Sequence, residues 1–237
     1  MMTTERRTTT GTVQLRAGTD AGMGKLGGYA LKFNTYSQNL GGYVESCAPG
    51  LVDEATLRGE RGDVVARYQH DDLFLLGRQV SETLRLSADG TGIDYEVDLP
   101  ETGYARDLAA LAKRGDVRYS SFAFRVLEDE WTYTEQDFPL RVLRSIQLVD
   151  VAPVVNPAYL DTSTGLRSLA EQRGLDLAAV TKAAEVNKLG VLLREGTAAV
   201  IDLKPTGQGA THPDGDQSLR RMRAAVRLRA RHPSTAL

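Results

Sequence analysis

The chain has 237 residues, enough for one good-sized domain with extensions. Its hydrophobic share of 41% and charged share of 25% are those of an ordinary soluble globular protein. A net charge of −2 gives no strong general attraction for nucleic acid or membranes, and one cysteine with three histidines is too few for a zinc site built from several of either.

Residues 1–24 are polar and rich in Thr and Gly, which predicts a loose N-terminal arm. The arm has no apolar run of the kind a secretory signal needs, and nothing approaches the roughly 20 apolar residues that span a bilayer. From Lys25 to about Tyr159 short apolar or alternating runs recur between Gly, Asn and Asp turns. They predict strands at Tyr29–Phe33, Tyr43–Cys47, Val64–His70, Thr83–Leu86, Ile93–Leu99, Tyr119–Leu127, Trp131–Thr134 and Leu140–Val155, as in a sandwich or barrel. One helix interrupts them, with Thr102 as N-cap, Gly115 as stop, and a stripe of Ala105, Leu108, Ala109, Leu111 and Ala112. The class is α+β and β-rich. A helical extension over 166–195 follows a 25–165 domain, and residues 196–237 read as a disordered tail ending in the basic run Arg220–His232.

Three segments place polar groups where function is to be sought. In Tyr119–Val126 alternation puts Phe122, Phe124 and Val126 on the core face together with Ser120, and Ser121 opposite, beside the small Ala123. Ser121 is therefore the better nucleophile of the two serines, although for the strand by itself a polar outer face is the plainer explanation, serine being common on strands. In Ser145–Val155 Asp150 interrupts an apolar run and shares a face with Ile146 and Leu148 by alternation. It marks a strand end, a structural ion pair with an arginine, or a functional carboxylate. His70 closes the run Val64–His70 as the one histidine of the globular part: either a satisfied structural residue or a proton shuttle. Together they make a coherent set in which His70 takes the proton of Ser121 and Asp150 holds the imidazole. Asp71 is a weaker third member, because in a continuing strand it points away from the His70 ring.

The same segments resemble the bacteriophage prohead protease family, over about Leu26 to Thr164. The blocks are Gly27–Gly50 (with Glu45, Pro49 and Gly50), Tyr68–Arg78, Arg118–Phe124 and Leu148–Thr162. The resemblance implies a capsid-maturation serine endopeptidase with His70, Ser121 and Asp150 as catalytic residues, no cofactor and no metal. The third position is usually Glu in that family and is Asp150 here. Gln69 replaces a frequent Asn, and Ala152-Pro153 a small polar pair. A distant similarity to herpesvirus assembly proteases implies a mostly antiparallel β-barrel, closed or partly open, flanked by helices, and makes a homodimer an alternative. Implied substrates are the N-terminal segment of the major capsid protein, any scaffold, and the chain itself beyond about Gly196, inside the assembling prohead in the host cytoplasm. Arg144 or the turn Asn156–Ala158 are candidate oxyanion donors. A catalytically silent scaffold protein of the same fold is the rival reading, and nucleic-acid binding by Arg220–Arg231 is at most a minor role.

Overall fold

Polar residues open the first strand. Thr8 and Thr9 are β-branched and suit a pleated surface, and Glu5 and Arg7 alternate onto one face. Residues Glu5–Thr12 thus form β1, and Gln14–Arg16 form β2, where composition alone predicts a loose arm. The computed structural model describes residues 3–16, 23–156 and 163–195. All of these fall in a unit spanning Met1–Ala199; a second unit, Val200–Leu237, lies outside the described residues, as do the basic run and the expected cleavage region beyond about Gly196.

After β2 come β3 (Lys25–Lys32), β4 (Val44–Cys47), the short helix α1 (Glu54–Leu57), β5 (Val65–Arg67), β6 (Leu75–Arg78), β7 (Leu84–Ala88) and β8 (Gly92–Asp98). Then α2 (Gly103–Arg114) precedes two long strands, β9 (Tyr119–Tyr133) and β10 (Pro139–Val154). Helices α3 (Ser163–Arg173), α4 (Leu177–Glu185) and α5 (Leu189–Glu195) complete the described chain. No helix among the described residues is long and apolar enough to cross a membrane.

The strands form two sheets. One runs β1-β9-β10-β5-β6 with β4 also alongside β10, and the other runs β2-β3-β8-β7. Most neighbours are antiparallel, but β4 and β5 run parallel to β10 at its two ends. Among the described residues no ladder closes either sheet, so the β-rich α+β class forms without the closed barrel. The core lies between the sheets, where Leu26, Tyr95 and Val97 meet Phe122, Phe124 and Val151. Helix α2 starts after Thr102 and ends at Gly115, whose φ of 84° is the left-handed conformation that suits a glycine stop. It buries Ala105 and Leu108 against that core.

β1 is anchored by charge. Arg7 Nε lies 2.9 Å from Glu45 Oε1 on β4, and Arg7 Nη2 lies 2.6 Å from Glu5 Oε2. Arg141 of β10, 0% exposed, reaches both carboxylates through Nη1 at 3.0 Å and Asp129 of β9 through Nε at 2.5 Å. Asp129 also accepts from Ser168 of α3 at 2.7 Å, which ties the helical extension to the sheet. Burial opposes the charge on Arg7 and Arg141, yet Glu45 and Glu5 outweigh it and hold both guanidinium groups protonated above their ordinary range. Removing one partner of such a cluster leaves an uncompensated buried charge, at a cost of about 3–5 kcal/mol.

Cys47, at the end of β4, is free and buried. Burial first, then the charge of Glu45, pushes its thiol well above the ordinary value. Raising a thiol pKa means that thiolate appears only at more alkaline pH, so the native protein is expected to resist alkylation at neutral pH and to react once unfolded. Stoichiometric labelling of the native chain by iodoacetamide at pH 7 would contradict this.

Candidate active site

β9 carries Ser121 in the middle of the larger sheet. Its cross-strand neighbours are Thr8 of β1 on one side and Ala152 of β10 on the other. Phe122 and Phe124 turn into the core, stacked with ring centroids 5.0 Å apart, and Ser120 turns with them. The Ser120 hydroxyl is 3.4 Å from the phenol of Tyr95, inside the protein. Ser121 takes the opposite face, as alternation requires.

His70 arrives from the end of β5. The strand stops at Arg67, three residues before the end of the apolar run, and the chain turns sharply with φ of 61° at Gln69 and 59° at His70. Left-handed backbone at two successive non-glycine residues costs about 1 kcal/mol or more each, and such outliers gather at functional sites. The turn carries the imidazole back over the sheet. His70 Nε2 lies 2.7 Å from Ser121 Oγ, and Nδ1 lies 2.5 Å from Asp150 Oδ1.

Asp150 gets there by an irregularity. Leu148 pairs with Phe124 and stays in the core, but a register shift between Leu148 and Asp150 sets Asp150 opposite Ala123. Strict alternation places Asp150 on the face of Ile146 and Leu148. The bulge at Val149 reverses the phase and moves Asp150 to the Ser121 face. Its side chain is 3% exposed, and Oδ2 lies 3.7 Å from Arg67 Nη1, a long ion pair that offsets part of the desolvation. Asp71 is spent elsewhere, its carboxylate accepting from the Leu73 backbone N–H at 2.9 Å.

These bonds make a directed relay. A carboxylate can only accept, so the Nδ1 hydrogen of His70 faces Asp150 and the Nε2 lone pair faces Ser121. In that tautomer His70 can take the hydroxyl proton as Oγ attacks a carbonyl. Ser121 Oγ also lies 2.9 Å from the Arg7 carbonyl, a contact to which it can donate instead. Sequence reasoning missed this β1 contact and Arg67. The alternation of Glu5, Arg7 and Thr9 was the available signal for the strand, and Arg67 stands inside the segment that ends at His70. Arg144 pairs with Glu130 at 2.7 Å, nine positions along β9 from Ser121. Of the turn Asn156–Ala158, only Asn156 lies within the described residues.

Because β9 is paired on both sides at Ser121, a peptide cannot join it there as a further strand.

No curated protein matches the chain. Among solved structures it is similar to the capsid assembly protease gp21 of bacteriophage T4, at 12% identity and a TM-score of 0.45, with 65% of this chain and 98% of that one covered. Residues 11–174 match the family described as caudovirus prohead serine proteases, a stretch that holds His70, Ser121 and Asp150 and all the strands after β1, and on that match the chain belongs to the caudovirus prohead serine protease family.

Proposed function

We propose that this serine protease matures the phage capsid by cutting the N-terminal segment of the major capsid protein, any scaffold, and its own chain beyond about Gly196. The nucleophile is Ser121, the general base and then acid is His70, and Asp150 orients the imidazole. The observation that carries the assignment is the unbroken relay from Asp150 through His70 to Ser121, with both links at hydrogen-bond length. Oγ attacks the scissile carbonyl while Nε2 takes its proton; the imidazolium returns that proton to the leaving amine; water, activated by the same nitrogen, then releases the acid product and restores Oγ–H. Kinship with herpesvirus assembly proteases would lie in this serine–histidine chemistry rather than in barrel closure.

The test is co-expression of wild type and Ser121→Ala with the capsid protein, weighing every product by intact mass spectrometry. Trimming by wild type alone supports the function and the nucleophile together. Cutting by Ser121→Ala as well would remove Ser121 from its role. Assembly without any cutting would favour a silent scaffold of the same fold.

A further inference from the structure

Arg7 is the residue that touches both the buried ionic cluster and the nucleophile. Its side chain belongs to the core face, 8% exposed, where Glu5 and Glu45 grip it and the Phe124 ring lies 5.6 Å from its guanidinium carbon. A further guanidinium N–H donates to the Arg6 carbonyl at 2.9 Å. Every arm of the fork is therefore engaged. Its carbonyl meets the other face, 2.9 Å from Ser121 Oγ.

Resting on the reading of Ser121 and His70 as the catalytic pair, we infer that Arg7 is a positioning residue for the nucleophile. A serine side chain has three staggered positions for its hydroxyl, and only some bring Oγ within reach of a given base. In the rotamer present Oγ meets the His70 imidazole at 2.7 Å and the Arg7 carbonyl at 2.9 Å together, and the two contacts hold it there. The hydroxyl has a single hydrogen, and the carbonyl is an acceptor only, so the two compete for it. When the imidazole is neutral, Nε2 can win the hydrogen and attack can begin. When the imidazole of the free enzyme is protonated, Nε2–H donates to Oγ and the hydroxyl hydrogen turns to the Arg7 carbonyl, which keeps Oγ in place until the base is neutral again.

The side chain makes the carbonyl's position dependable. A planar fork that binds two carboxylates sets an angle as well as a distance, whereas an ammonium sets only a distance. Those carboxylates are in turn fixed by Arg141, so β1 is tied to β4 and β10 through Arg7, which lies opposite Phe122, the chain neighbour of Ser121. Arg7 works through Ser121 and meets no substrate.

The experiment uses the full chain and a fluorophosphonate, which esterifies the nucleophile as Oγ displaces fluoride and the base takes the hydroxyl proton. The rate of Ser121 labelling is read by mass spectrometry, alongside kcat and KM on the capsid protein. Arg7→Met is expected to slow labelling and kcat together by about 10- to 100-fold, the scale of a misplacement near 1 Å, with KM nearly unchanged. Arg7→Lys should fall between Arg7→Met and wild type. Leu108→Ala, which destabilises α2 without touching the site, should label at the wild-type rate per folded molecule. Should Arg7→Met fail to fold, Arg7→Lys and Glu45→Gln give the same reading. Wild-type labelling rates in the Arg7 variants would overturn the proposal, as would an equal loss in Leu108→Ala. A wild-type chain that labels at no serine, or at one other than Ser121, would instead overturn the catalytic assignment itself, a result distinct from both.

Discussion

Ser121→Ala is expected to slow peptide hydrolysis by about 10⁶-fold, His70→Ala by nearly as much, and the double variant by no more than either alone. The hydroxyl is inert until a base removes its proton, and the base has nothing to activate once the hydroxyl is gone. Two groups 2.7 Å apart that serve one proton transfer act as a unit. Initial rates on the capsid protein, with the four enzymes compared at equal folded concentration, measure this directly. Multiplying penalties would mean independent contributions, and would sink the pairing even if each single variant were slow. The replacement should be mild for the fold: removing the hydroxyl leaves the Arg7 carbonyl and the His70 ring each short of one partner, for about 1–3 kcal/mol.

Asp150→Asn should cost about 10⁴-fold in kcat while the fold stays intact. An amide can turn its NH₂ toward Nδ1 and so favour the tautomer with hydrogen on Nε2, the atom that must be empty to take the Ser121 proton. Asp150→Glu is expected to keep much of the activity, since it restores a carboxylate one methylene longer and asks only for a small shift of the ring. The comparison separates chemistry from packing. Should Asp150→Asn cut at the wild-type rate, the carboxylate serves only the ion pair with Arg67, and the relay ends at His70.

How far the sequence discloses this site differs among its parts. Ser121 is legible and distinguishable from Ser120, because two phenylalanines in the same strand fix which face is the core, and a period of two decides the rest. α2 is legible to the residue, because Thr102 and Gly115 bracket a helical stripe. The side on which Asp150 emerges is not legible. A bulge reverses the phase of a strand without requiring a glycine or any other marker, and Val149 carries none. Nor is the turn at Gln69–His70, since Gln69 is not of a type that favours left-handed backbone and a histidine alone, though more tolerant of it, does not mark a turn. β1 escapes for a different reason: buried polar groups look like surface ones until their partners are known, and those partners, Glu45 and Arg141, are far along the chain.

The placement of β1 bears on when the protein can act. Ser121 and the Arg7 carbonyl that it touches are 114 residues apart in sequence, and His70 and Asp150 are 80 apart. Contacts of such separation are closed late and slowly, because the entropy of the intervening loop must be lost before they reward it. Synthesis proceeds from the N-terminus, so β1 emerges long before the strand it will flank and must wait unpaired. The hydrolytic relay cannot exist until the ribosome has passed residue 150 and the newly made strand has found both neighbours. Newly synthesised copies therefore pass through an interval in which β1 to β8 have been made and no relay exists to hydrolyse a peptide.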